Sequence, residues 1–196
     1  MMIKVGITGG IGSGKSTVSK VFDVMGIPVY YADEAAKRLM NEDGSIRDQL
    51  LKTFGPDTYI KGLLNKEYLS SLVFNDPLKL ERLNAIVHPV TVKDAGDWMR
   101  RQSTPYAIKE AALIFESGSQ EHLDYVIGVY APVPLRIQRV MKRDNISRQR
   151  VIERMNKQID ETIKMRLCDH VITNDDQQLV IPQVLKIHET LLAMSR

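Results

Sequence analysis

The stretch Gly9-Gly10-Ile11-Gly12-Ser13-Gly14-Lys15-Ser16-Thr17 constrains this chain more than any other. Gly9 and Gly14 stand with four residues between them, and Lys-Ser follows, the pattern of a phosphate-binding loop. Successive backbone N–H groups can turn into one concavity only where glycine tolerates positive φ and lets a polyphosphate approach closely. Before the loop, Ile3-Lys4-Val5-Gly6-Ile7-Thr8 reads as a buried parallel strand. After it, Val18, Val21, Phe22 and Met25 recur at helical spacing until Gly26 and Pro28 stop them. The helix would aim its positive N-terminus at the anion held by the loop. Backbone N–H groups from Gly12, Ser13, Gly14, Lys15, Ser16 and Thr17 are the expected cradle, with Lys15 reaching the β- and γ-phosphates and Ser16 holding Mg²⁺.

The rest of the chain reads as an α/β protein with an insertion. Ile27-Pro28-Val29-Tyr30-Tyr31 is a second short strand, and Asp33 falls at its C-terminal end, the edge where open α/β sheets place ligands. Asp33 also suits a helix N-cap. Residues 43–105 carry turn signals and helical patterns with no convincing strand; one helix is expected to stop near Asn75-Asp76-Pro77, and another to pause at His88-Pro89 before resuming toward Trp98. Strand patterns return at Tyr106 to Ala112, Tyr125 to Tyr130 and His170 to Thr173, and a last helix runs from about Gln177 to Ala193. Five parallel strands with flanking helices is the simplest count.

Pro134 to Leu167 is the most basic segment, carrying Arg136, Arg139, Lys142, Arg143, Arg148, Arg150, Arg154, Lys157, Lys164 and Arg166 on two helices around Asp144-Asn145-Ile146-Ser147. A solvated helix pair is one reading. A lid whose arginines neutralise a transferring phosphoryl is the reading favoured beside a phosphate loop. No aromatic is interleaved with these charges, which weakens an RNA-binding face. A net charge of +3 is also too small to argue for nucleic acid. The single cysteine, Cys168, excludes an internal disulfide and is expected to be buried and structural. No run approaches the apolar length of a membrane span, and the chain enters its first strand without a leader-like segment, so a cytoplasmic protein without membrane contact is expected. A GTP switch is disfavoured: Asp23-Val24-Met25-Gly26 is the only D-x-x-G and lies within the first helix, and Asn156-Lys157-Gln158-Ile159 lacks an acidic fourth residue.

A small-molecule kinase remains, and a specific resemblance runs through the chain. Thr8 to Thr17 resembles the T-G-G-I-G-S-G-K-S-T loop of the dephospho-coenzyme A kinases. Ala32-Asp33 resembles the second half of that family's D-A-D segment, and Leu83-Asn84-Ala85-Ile86-Val87-His88-Pro89 its L-N-x-x-x-H-P segment. Leu113-Ile114-Phe115-Glu116 is similar to its P-L-L-x-E segment. Arg139 and Arg143-Asp144, then Arg154 and Gln158, and finally Asp169 to Asn174 are similar to its lid and closing segments. Tyr31, Ala112 and Cys168 depart from the pattern, as does Lys109-Glu110, which is either an ion pair near the Mg²⁺ or an edge-strand pair.

The resemblance implies a P-loop kinase fold. Its nucleotide-binding core would comprise 1–42, 106–133 and 167–196, its helical acceptor-binding insertion 43–105 and its basic helical lid 134–166. It implies transfer of the ATP γ-phosphoryl to the ribose 3′-hydroxyl of dephospho-coenzyme A, the last step of coenzyme A biosynthesis, by a protein favoured to be a monomer. Asp33 would orient or deprotonate the acceptor, Arg139 and Arg143 would face the phosphates together, and Asn174 would contact adenine. His88 and Glu116 are candidates for binding the acceptor; a buried helix-end histidine and a lid hinge are the competing readings. Another small-molecule or nucleoside monophosphate kinase of this architecture is the alternative, and a nucleic-acid-binding ATPase the weaker one.

Overall fold

In the computed structural model, which describes residues 2–74 and 76–195, the strands and helices run in this order: β1 (Ile3–Thr8), α1 (Lys15–Val24), β2 (Val29–Tyr31), α2 (Ala32–Glu42), α3 (Gly44–Phe54), β3 (Tyr59–Ile60), β4 (Leu63–Leu64), α4 (Lys66–Phe74), α5 (Pro77–Arg100), β5 (Tyr106–Glu110), β6 (Tyr125–Tyr130), α6 (Val133–Asp144), α7 (Arg148–Met155), α8 (Glu161–Arg166), β7 (His170–Thr173) and α9 (Val180–Met194). The chain divides into two compact units, 1–30 with 101–196, and 31–100. Helix α2, expected with the nucleotide-binding core, clusters with the helical unit, while α6, α7 and α8 cluster with the sheet.

The five expected strands form one parallel sheet in the order β2-β5-β1-β6-β7. The loop strand β1 is central: Val5 pairs with Ile108 of β5 on one side and Tyr125 of β6 on the other. A strand paired on both sides and covered on both faces is apolar throughout, which is why Val5 and Ile7 are fully buried. Val18 and Phe22 of α1 pack with Val184, Ile187 and Leu191 of α9, both sets joining the sheet's Ile108, Ile127 and Ile172 in one core. Helix α9 starts at Val180, later than its pattern predicted, because the Asp175 carboxylate captures the N–H groups of Gln177 and Gln178 in a turn.

The helical unit has its own apolar cluster, built from Leu39, Ile46, Leu50, Phe54, Tyr59, Leu69 and Val87. Asp33 caps no helix; Asp43 accepts the Ile46 N–H at the start of α3, and Asp76 the Lys79 N–H at the start of α5. Two differences from expectation fall in this unit. A two-stranded antiparallel hairpin, β3 with β4, closes around Lys61 and Gly62, both at positive φ; strands this short leave no readable alternation. Helix α5 runs through Pro89 without ending, so His88 is an interior, half-buried helical residue and not a helix-end one. Helix α4 ends at Phe74 and α5 begins at Pro77, around the stop expected near Asn75-Asp76-Pro77; Asn75 itself lies outside the described residues.

Candidate functional site: a phosphate loop held by the basic helices

The loop between β1 and α1 has the backbone its glycines permit. Gly12 and Gly14 sit at φ 81° and 95°, and Gly14 is the residue from which α1 starts. A Cβ on Gly12 would lie 2.6 Å from the Arg136 carbonyl oxygen, so side-chain bulk is excluded there as well as strained. The Ser13 N–H closes a turn on Gly10 O at 3.0 Å. Lys15 Nζ arcs back to Gly9 O at 3.1 Å, which keeps the ammonium over the loop.

Next to the loop the end of β5 presents a carboxylate. Glu110 is buried, and its Oε2 lies 3.5 Å from the Ser16 hydroxyl. Lys109, its neighbour in β5, is also buried, and burial pushes its ammonium pKa down. A hydroxyl and a carboxylate oxygen so close together are hard donors of the kind Mg²⁺ prefers, and Mg²⁺ commonly takes only one or two protein ligands beside substrate phosphates.

Sequence reasoning placed Arg139 and Arg143 together; the structure separates them. Arg139 Nη1 donates to Asn174 O at 3.1 Å and Nη2 to Asp176 at 2.5 Å. Asn174 in turn donates from Nδ2 to Ser13 O at 2.8 Å, so Arg139 and the end of β7 border the loop as one assembly. Arg143, largely exposed, folds onto its neighbour Asp144, which Arg154 also grips at 2.7 Å. These hydrogen bonds, that from Arg143 first, hold the Asp144 carboxyl below the usual range. One helical turn brings two side chains to the same face, but a near neighbour of opposite charge decides where each arginine goes.

Glu116 is occupied inside the protein. It accepts the fully buried Lys164 ammonium at 2.9 Å and the Ile159 N–H at 3.1 Å, which ties the segment between α7 and α8 to the chain beyond β5. Asp33 stands exposed in the first turn of α2, directly after β2, at the second helical position after the Tyr31 cap. Cys168, expected to be buried, is half-buried, its thiol hydrogen-bonded to Lys164 O, and burial pushes its pKa up to about 12.

Three residues hold the loop in ways the sequence reading did not foresee. Arg136, Gln158 and Glu161 bond the Gly10–Ile11 backbone directly. Arg136 and Glu161 were visible only as members of a charge run, and Gln158 only through resemblance. Nothing in spacing distinguishes a charge that folds inward.

A phosphate loop at the head of a five-stranded parallel sheet, with an arginine and a serine–carboxylate pair beside it, defines a P-loop phosphotransferase. Residues 3–179 match the family described as dephospho-CoA kinase. The chain is 37% identical over 188 residues to a dephospho-CoA kinase of Bacteroides fragilis, covering 95% of this chain and 92% of that protein. A Thermus thermophilus crystal structure superposes with a TM-score of 0.83 at 33% identity, over 98% of this chain and 97% of that one. The dephospho-CoA kinase from Campylobacter jejuni, 24% identical, shares the fold with a TM-score of 0.72 over the full length of both chains. The chain belongs to the dephospho-CoA kinase family.

Proposed function

We infer that this protein transfers the γ-phosphoryl of ATP to the ribose 3′-hydroxyl of dephospho-coenzyme A, giving coenzyme A and ADP. The observation that carries this reading is that the family match, residues 3–179, runs unbroken through the phosphate loop and the helical unit. A loop motif alone would specify only a nucleotide.

The proposed roles follow from the parts that phosphoryl transfer requires. The N–H groups from Gly12 to Thr17 cradle the polyphosphate, and Lys15, leaving Gly9 O, spreads charge from the bridging and transferring oxygens. Ser16, with Glu110 behind it, would hold Mg²⁺, which neutralises charge on the β- and γ-phosphates when bound. Arg139, beside Ser13 through Asn174, faces the same anion, and Asn174 borders the nucleoside side of the loop. Asp33 takes the proton of the acceptor hydroxyl or orients it. His88 and the helical unit would supply acceptor contacts, with α6 to α8 as the basic cover over the phosphates. Among the described residues no helix is long and apolar enough to cross a membrane; a cytoplasmic monomer acting without nucleic acid remains the proposed setting.

ADP release coupled to NADH oxidation tests the reading across three acceptors: dephospho-coenzyme A, nucleoside monophosphates and RNA. Turnover with dephospho-coenzyme A at least about a hundredfold above the others is expected, since a site that hydrogen-bonds its own substrate rejects analogues strongly. Equal or greater turnover with a nucleoside monophosphate or RNA overturns it.

A further inference from the structure

Both polar groups of Ile11 and the N–H of Gly10 are taken by side chains from α6, α8 and the turn between α7 and α8. Gln158 Oε1 accepts the Ile11 N–H at 2.8 Å, and Arg136 Nε donates to Ile11 O at 2.9 Å. Glu161 Oε1 accepts the Gly10 N–H at 3.3 Å. The Ile11 side chain packs against the small apolar cluster of Ile137, Val140 and Val151 between α6 and α7. The Gly10 N–H and both backbone groups of Ile11 are therefore held by side chains from α6, α8 and the turn between α7 and α8, while Gly10 O is closed within the loop by Ser13 N–H.

This grip contains an electrostatic oddity. Glu161 places a carboxylate, only 13% exposed, on a loop whose purpose is to receive phosphates. Arg136, with a side chain 3% exposed, meets it at 3.0 Å. A nearly buried charge that loses its partner is strongly unfavourable, and like charges facing each other at low dielectric repel. Surface charge runs are ordinarily solvated; this pair is not.

The geometry points to Arg136 and Glu161 as a compensated positioning pair for nucleotide binding: Glu161 and Gln158 fix the Gly10–Ile11 backbone, and Arg136 cancels the carboxylate's repulsion of the incoming polyphosphate. Neither residue is required to touch the reacting atoms. The inference rests on the proposed kinase reading only for the presence of a nucleotide at the loop. Because α8 is anchored at Lys164 and Glu116, Glu161 at its start is held near the loop by that buried ion pair.

The test is a double-mutant cycle with two readouts: Kd for ADP with Mg²⁺ by calorimetric titration, and KM for ATP. Arg136→Met is expected to raise both about tenfold or more, the size of exposing one unpaired partner of a buried charge pair. Glu161→Gln, which keeps an oxygen for Gly10, is expected to change them less than about threefold. Combined, Arg136→Met/Glu161→Gln is expected to recover most of the loss, whereas a merely structural Arg136 would leave the double variant as poor as the single. No recovery, or no rise in Arg136→Met, overturns the proposal. Should Arg136→Met not fold, Gln158→Ala supplies the second arm: amide exchange at Ile11 at least about tenfold faster with a severalfold weaker ADP affinity supports the grip, and unchanged exchange and affinity refute it. ADP titration needs no acceptor, so a wild-type protein that binds ADP but fails to turn over dephospho-coenzyme A would sink the functional reading alone.

Discussion

Both compact units close around apolar clusters, but the sheet unit adds a polar network at its phosphate loop. In the sheet unit, side chains distant in sequence converge on one loop: Glu161 on Gly10, Gln158 on Ile11 and Asn174 on Ser13. In the helical unit, an apolar cluster does the holding, and polar bonds serve mainly to finish element ends, such as Tyr59 to Met40 O and Leu64 N–H to Asn41. Interlocking polar networks impose one geometry, because each unmatched member is costly to leave buried. Apolar clusters impose volume and pattern more than direction. The contrast assigns anion positioning to the first unit; the second begins with Asp33, exposed in the first turn of α2 and proposed above as the acceptor's base.

The largest expected effect tests that division directly. Asp33→Asn is expected to lower kcat by about a hundredfold or more, the loss typical of a general base, while the Kd for ADP stays within about twofold. Steady-state kinetics and ADP titration on the same preparation check it. Unchanged kcat would remove the chemistry from the helical unit and break the comparison.

A smaller effect divides the arginines of α6. Arg139→Ala is expected to reduce kcat/KM for ATP about tenfold or more, since it removes a charge held beside the loop and also frees Asn174, one of the loop's clamps. Arg143→Ala, which breaks only a largely exposed pair with Asp144, is expected to stay within about twofold. Equal losses would mean that Arg143 leaves Asp144 when nucleotide binds and that the two arginines do act together.

Legibility followed the same division. The strand, loop and first helix were readable because their signals are local: a run of buried β-branched residues, glycines where φ must be positive, and then helical spacing. The five strands and their parallel arrangement followed from such runs. What stayed hidden were directions. Arg136 and Arg143 lie on one helix in one charge run, yet one turns inward to Ile11 and the other outward to Asp144. Lys164 read as one more charge of a basic lid or solvated face and is fully buried against Glu116, because a carboxylate far away in sequence is there to meet it. The hairpin at Tyr59–Leu64 was missed for a different reason, since two-residue strands carry no period. The acceptor's identity was legible only through resemblance, which the family match then bore out.

The smallest expected effect concerns a residue that breaks a local rule inside the helical unit. Pro89 sits within α5, where it lacks the N–H that would bond back to Ala85 and its ring crowds that carbonyl. Intrinsic propensity alone makes proline about 3 kcal/mol worse than alanine in a helix interior. Part of that cost is offset because proline also restricts the unfolded chain, by up to about 1 kcal/mol. Pro89→Ala is therefore expected to stabilise the protein by about 1 kcal/mol in urea unfolding once partial relaxation of the native helix is allowed for. Local rules are most often broken at functional positions, so Pro89, beside His88, marks this turn of α5 for the proposed acceptor contacts. The same variant is accordingly expected to raise KM for dephospho-coenzyme A severalfold while leaving ADP affinity untouched. Stabilisation with no change in KM would make Pro89 a packing feature and move the acceptor contacts away from this turn of α5. A KM change without stabilisation would show that α5 already accommodates the ring and that the contact is direct.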